Sequence, residues 1–409
     1  MSSIFTKAER LQHNGLSVIV QLSEQAQAMK EQGQRIINLC VGEPDFDTPE
    51  HVKAAAQQAM VLQQTKYTAT AGTTALKTAI SHKFSKQYAS EISAQEVMVS
   101  NGAKQVLFNA LFASLNPGDQ VIVPAPYWTS YPDMISVCGG ISKVVQCDPA
   151  KGFKITADAL EASIGPDTRW LLLNSPCNPT GSVYSQKELR AIADVLLKYP
   201  HVWIMADEIY EHLLYDDQNF ASFRKVAPEL ADRTLIVNGV SKAYAMTGWR
   251  VGYGLGPKGL IAAMTAVQNQ STSGVCSIAQ AAATAALTGP QGILHQRCES
   301  FRQRRDSVVK SINAIAGLQC NTPDGAFYVF VDCAAFVGSL KPDNTDIKTS
   351  FDFCQYLLQA AGIAVVPGSA FGIENFFRLS YAASMAELQQ ACLSIKQACD
   401  ALTPAAVAA

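Results

Sequence analysis

The sequence predicts an α/β protein built around a mostly parallel sheet, and three observations carry that expectation. Between residues 97 and 238, short β-rich runs alternate with segments of helical spacing. Several runs, Trp170-Leu171-Leu172-Leu173 above all, are apolar on both faces, as strands covered by helices on both sides must be. Turn signals such as Asn116-Pro117-Gly118 bound them.

A helix near 18–32 precedes the alternating region. Within it, 97–100 reads as a strand, 104–115 as a helix and 120–124 as a strand. Strands at 141–147 and 170–174 are separated by a helical 157–164. Residues 185–198 carry helical apolar spacing at Leu189, Ile192, Val195 and Leu196, and strands follow at 202–206 and 234–238. This defines an α/β domain over about 50–290. From Gly292 a long charged helix runs toward 315, then strands at 327–331, 363–366 and 377–379 with helices near 349–361 and 385–402. Residues 291–409 therefore read as a smaller α+β domain, and 1–49 as an N-terminal arm that folds back onto it. The Ala-rich end at 404–409 reads as a frayed tail.

Composition bounds the function. The 409 residues are 48% apolar and only 16% charged, which excludes a disordered chain. A net charge of −2 offers no general attraction to nucleic acid or an anionic membrane. So few charges point to surface hidden in an oligomer. Eleven widely spaced cysteines without a CxxC pair argue against a disulfide scaffold or zinc module, so no metal is expected, and they favour a reducing compartment. No signal peptide and no apolar run of roughly 18 residues is evident, so a cytoplasmic protein without a membrane span is expected.

The sharpest segment is Asn238-Gly-Val-Ser-Lys-Ala-Tyr-Ala-Met-Thr-Gly-Trp-Arg250. Ser241 and Lys242 follow a predicted strand, at the sheet edge where α/β proteins place ligands. A desolvated lysine near another cation becomes a nucleophile able to form a Schiff base. Arg250 could grip a phosphate as a planar fork. For Lys242 alone, a surface lysine is the better reading. Trp203-Ile-Met-Ala-Asp-Glu-Ile-Tyr210 ends a buried strand in two carboxylates and a tyrosine. Asp207 there could hold a protonated pyridine nitrogen and Tyr210 could donate to a phenolate, although Asp-Glu pairs are commonly turn-formers. Asn174-Ser-Pro-Cys-Asn-Pro-Thr-Gly181 is a constrained loop in which Asn178 offers an amide donor, or an ordinary turn. Cys177 reads as a small packed residue. Ser100-Asn-Gly-Ala-Lys-Gln105 joins a strand to a helix whose N-terminal amides could bind phosphate, with Gly102 allowing close approach; it is no Walker A motif.

Taken together, G-A-K, P-Y-W, N-P-T-G, D-E-I-Y, S-K and G-W-R in this order resemble the fold-type-I, pyridoxal-phosphate-dependent aminotransferases of class I over nearly the whole chain. The likeness is closest to aspartate aminotransferases of the I-beta subgroup, through Val41-Gly-Glu-Pro-Asp-Phe-Asp-Thr-Pro49, Tyr67-Thr-Ala, Gly325-Ala-Phe-Tyr328 and Phe377-Arg-Leu-Ser-Tyr381. The resemblance implies a large domain with a mostly parallel seven-stranded sheet, a smaller α+β domain and a homodimer. It implies pyridoxal 5'-phosphate as cofactor, bound through Lys242, which also shuttles the proton. It pairs Asp207 with the pyridine nitrogen, Asn178 and Tyr210 with the ring oxygen, and stacks Trp128 on the ring. Gly102, Ala103, Ser241 and Arg250 would bind the phosphate, with Tyr67 entering from a second subunit. Arg378 would clamp the substrate α-carboxylate beside Gly42, Trp128 and Asn178. Lys104 would recognise a distal carboxylate, against the alternative of a solvated first-turn lysine.

Ser17 departs from a threonine common in relatives, and Cys177 from an asparagine. The six histidines match no catalytic position. The expected activity is amino exchange between an L-amino acid, aspartate first, and a 2-oxo acid such as 2-oxoglutarate, by a ping-pong route. Prephenate, aromatic, alanine or glutamine/kynurenine-type substrates are alternatives. So is a β-eliminating carbon–sulfur lyase, which shares the same residue set. A non-catalytic regulator ranks last, because the roughly 40 residues before Gly42 lack a basic helix-turn-helix pattern.

Overall fold

The computed structural model describes residues 5–11 and 18–404, so Ser17 and His13 lie outside the described residues. In chain order the first strands are β1 (Ile37–Asn38), β2 (Val97–Ser100), β3 (Gln120–Ala125), β4 (Ile141–Gln146) and β5 (Thr168–Asn174). Then come β6 (Trp203–Asp207), β7 (Thr234–Gly239) and β8 (Gly252–Leu255). The last third of the chain holds β9 (Gln319–Cys320), β10 (Tyr328–Asp332), β11 (Ile363–Ala364), β12 (Val366–Pro367) and β13 (Phe376–Ser380).

Among the described residues the main sheet has seven strands in the order β2-β8-β7-β6-β5-β3-β4. Only β8 runs against its neighbours; the other pairings are parallel. The expected α/β class therefore holds. Alternation along each strand serves two cores. Leu171, Leu173, Ile204 and Ile236 enter one, while Trp170, Leu172, Met205 and Leu235 enter the other. Helices begin where a side chain satisfies the first free amides: Ser185 with Glu188, Thr349 with Asp352 and Ser384 with Glu387 each form a capping box.

The smaller sheet has the order β12-β13-β10-β9 and is antiparallel throughout. β1 pairs in parallel with β11, Ile37 opposite Ile363. Leu22 and Ala26 of the helix Val18–Glu31 pack with Cys40, Phe330 and Val366, so the first elements return to the C-terminal part of the chain.

Among the departures from the sequence expectation, two bear on the site and the smaller sheet. The strand expected at 363–366 is two strands, one pairing with β1 and the other with β13. β8 was not foreseen, because Gly252 and Gly254 weaken any strand signal. Its glycines answer a packing demand: a Cβ on Gly252 would overlap the backbone of Gly102 and Ala103, and one on Gly254 would lie 2.8 Å from Val106 Cγ1. The helix Ala103–Ser114 rests directly on this strand.

Candidate active site

The parallel direction brings the carboxyl ends of β2, β3, β5, β6 and β7 to one edge, the usual ligand edge of such sheets. There a cavity of about 380 Å³ opens between the main sheet and residues Tyr328 and Arg378 of the smaller one. Ala103, Lys104, Trp128, Asn178, Asp207 and Tyr210 line it, as do Ser241, Lys242, Arg250, Arg378 and Gly42. Two sequence candidates do not. Gly102 lies just behind the wall, where a Cβ would overlap the Arg250 guanidinium. Tyr67 is 99% exposed in the single chain, beside a different surface depression.

Lys242 follows β7, and its Nζ donates to the Gly42 carbonyl at 2.5 Å. Burial pushes its pKa down to about 8 against the pull of Glu43; Arg250 and Arg378 add to the fall and Asp207 opposes it. Asp207, 4% exposed, ends β6. Burial raises its carboxyl to about 6, while a 2.7 Å hydrogen bond donated by Tyr131 and one from the Ile209 amide favour the charged form. The Tyr210 and Tyr328 hydroxyls lie 2.9 Å apart.

Arg378, on β13, is 1% exposed. Its Nη1 donates to Asn178 Oδ1 at 2.9 Å and its Nη2 to the Cys40 carbonyl at 2.5 Å, but Nε has no partner. No carboxylate pairs with it among the described residues. A guanidinium withdrawn from water without a counter-ion is costly unless an anion completes it. The Asn178 backbone is fixed in turn, its main-chain N–H donating to Asn174 Oδ1, and Asn174 Nδ2 donates to the Asp207 carbonyl.

A second anion cradle forms at the other end. Gly102, at φ 82°, turns the chain into the helix Ala103–Ser114, whose first amides are free. Arg250 reaches the same place from just before β8 and, among the described residues, donates only to the carbonyls of Thr247 at 2.9 Å and Asn101 at 3.4 Å. Its left-handed backbone, φ 55°, is the kind of strain that local packing must hold in place. Ser241 lines the same cavity. At the exposed mouth, the Lys104 ammonium sits 4.9 Å over the Trp128 ring. Burial lowers its pKa, and Arg250 lowers it further.

The donor set fits pyridoxal phosphate: an anion cradle, a nucleophilic amine, a buried carboxylate and an unpaired guanidinium share one cavity. Sequence reasoning missed Tyr131, Tyr328 and Asn174 as cavity residues. Tyr131 lies 76 residues from Asp207 and Tyr328 118 from Tyr210, so no linear spacing signals either contact. Tyr328 stood in a subgroup motif, Gly325-Ala-Phe-Tyr328, that carried no assigned role.

Fold and cavity place a lysine amine and two arginines at the ligand edge of an α/β sheet, the setting of an enzyme for small molecules. The chain belongs to the class I and II aminotransferases, whose family model matches residues 34–395, and it is a fold-type-I aminotransferase of the pyridoxal-phosphate-dependent kind. It is 53% identical to an aspartate aminotransferase of Rhizobium meliloti (strain 1021), over 98% of this chain and 97% of that one. An aspartate/prephenate aminotransferase of Cereibacter sphaeroides is 47% identical over 95% and 97%. The crystal structure of the aspartate aminotransferase from Rhizobium meliloti superposes with a TM-score of 0.95 at 53% identity, covering 98% of this chain and 100% of that chain. That of Thermus thermophilus with maleate gives 0.90 at 39% identity, covering 97% and 100%.

Proposed function

We propose that the protein exchanges an amino group between L-aspartate and 2-oxoglutarate, using pyridoxal 5'-phosphate held by Lys242. The observation that carries this reading is the buried Arg378 guanidinium, short of a counter-ion, opening into the same cavity as the Lys242 amine. When bound, the cofactor supplies an electron sink that lets the α-proton of an amino acid leave.

The residues divide the remaining work. Lys242, with a proton affinity brought down to about 8, is suited to take and return that proton near neutral pH. Asp207 would face the pyridine nitrogen and keep its proton in place. Asn178 and Tyr210 would hold the ring oxygen, and Trp128 would cover the ring. Gly102, Ala103, Ser241 and Arg250 would bind the phosphate, with Tyr67 entering from a second copy in a homodimer. Arg378 would grip the α-carboxylate as a fork, with Gly42 at its side. Lys104 would meet the distal carboxylate, which favours a dicarboxylic substrate. The free cysteines fit a cytoplasmic enzyme.

Pure protein with aspartate and 2-oxoglutarate should yield glutamate. Prephenate belongs in the same panel, because the Cereibacter sphaeroides relative carries that name. Pyruvate and ammonia from cystathionine, without amino transfer, would reject transamination in favour of a lyase. Lys242→Ala should abolish the borohydride-fixed cofactor adduct; an adduct persisting on another residue would overturn the lysine's assignment.

A further inference from the structure

We propose that Tyr328 is a positioning residue that joins the carboxylate clamp to the cofactor-oxygen contact, acting on Tyr210 through its hydroxyl and on Arg378 through its ring. This role rests on the reading above, in which Tyr210 and Arg378 make those contacts.

Tyr328 begins β10 and is wholly buried. It pairs with Ser380, and Phe330 pairs with Arg378, so Tyr328 and Arg378 are diagonal neighbours on one face of the smaller sheet. The guanidinium carbon lies 4.5 Å from the Tyr328 ring centroid. The hydroxyl reaches the other way, 2.9 Å from that of Tyr210, which follows β6 of the main sheet. The two rings meet edge to face at 84°. Gly42 closes the third side: a Cβ there would stand 2.8 Å from the Tyr328 hydroxyl, and the Gly42 carbonyl is the one that holds Lys242. One phenol thus touches the parts assigned to the ring oxygen, the substrate carboxylate and the lysine.

Each hydroxyl has a single proton, so one of the pair donates and the other accepts. A cation over the Tyr328 ring makes that phenol the stronger donor. Burial raises the Tyr328 phenol, and the Arg378 charge draws it back down. With Tyr328 donating, the Tyr210 proton is free to point at the ring oxygen, and a donor chain of this kind strengthens its last bond. With the direction reversed, Tyr210 would present only a lone pair there.

The test uses the holoenzyme. Tyr328→Phe keeps the ring under Arg378 and removes the hydroxyl. A hydrogen bond to the ring oxygen favours its charged form, so losing the support should raise the midpoint of the visible absorbance titration by roughly half to one pH unit. Affinity for succinate, a dicarboxylate without an amino group, should stay within about twofold, since the ring contact is kept. In a Tyr210→Phe background the same change should move the midpoint no further. Tyr328→Leu removes the ring and should weaken succinate binding about tenfold in either background. A Tyr328→Phe midpoint that does not move, or that moves equally with and without the Tyr210 hydroxyl, overturns the proposal. So does unchanged succinate binding by a folded Tyr328→Leu protein. A parent protein that gains no titrating absorbance with pyridoxal phosphate would instead reject the functional reading itself, and this role with it.

Discussion

Glu208 sits one residue from Asp207 yet faces a different neighbourhood: its Oε1 accepts from Ser222 Oγ and the Phe223 amide, and its Oε2 has no partner. Burial, then the nearby Glu211, raises its pKa from 4.5 to about 8; Lys83 pulls the other way. Glu211 is also buried, but Lys83 at 2.7 Å, His212 at 3.4 Å and Asn238 at 2.8 Å bring it below the usual range. The folded chain therefore keeps a proton on Glu208 that the unfolded chain releases near 4.5. Stability attached to this group is full below 4.5 and is lost as pH rises through about 8. Glu208→Gln should come close to the parent at pH ~5 and exceed it by on the order of 4 kcal/mol at pH ~9, read as melting temperature against pH. A constant difference across that range would show that Glu208 does not titrate with folding. At the cavity mouth, Lys104→Ala should raise the KM for aspartate roughly tenfold and that for alanine much less, because only aspartate offers the second carboxylate. Equal changes would remove Lys104 from specificity. Lys104 was singled out only through the family resemblance carried by the G-A-K motif. The protonated neighbour of Asp207 was not legible in the sequence, because its environment is assembled from Lys83, Glu211 and Ser222.

At the level of elements, legibility followed side-chain pattern. β2, β5, β6 and β7 carry apolar residues for two cores, so their positions were readable to within two residues. β8 was invisible because its sequence, Gly-Tyr-Gly-Leu, is set by how closely the helix Ala103–Ser114 must approach. Gly252→Ala places a Cβ onto backbone atoms of Gly102 and Ala103, which cannot swing aside as a flexible side chain would. It should cost roughly 1–3 kcal/mol and, by shifting the helix N-terminus, weaken retention of pyridoxal phosphate. Gly259→Ala makes the opposite expectation, since nothing lies within 4 Å of the new carbon and the residue is in the first turn of the helix Lys258–Asn269. It should stabilise by up to about 1 kcal/mol with cofactor retention unchanged. Chemical denaturation combined with cofactor dialysis separates the two; a Gly252→Ala protein that holds its cofactor as tightly as the parent would show that β8 does not support the cradle.

For the whole molecule, the low charge of the sequence pointed to hidden surface, and the single chain leaves that surface in view. Met60, Val61 and Leu62 are 50%, 74% and 57% exposed, five to seven residues before the 99% exposed Tyr67. An exposed apolar patch of this kind is accounted for by the homodimer proposed above, in which Tyr67 serves the partner's cavity. The sequence offered this reading only through its low charge and the family resemblance, because no spacing within one chain signals a contact between two copies. Complementation distinguishes service to the partner from service within one chain. Lys242→Ala and Tyr67→Ala dimers should each be impaired, the first through loss of the amine and the second through loss of a phosphate contact. If Tyr67 acts across the interface, a hybrid of the two pairs the intact Lys242 of one chain with the intact Tyr67 of the other. One of its two cavities is then complete, and reassociation of equal amounts should recover about a quarter of the parental rate. If Tyr67 acts within its own chain, every cavity in the hybrid keeps one lesion. Recovery would then stay at the level of the unmixed variants, although sedimentation would still report the same dimer.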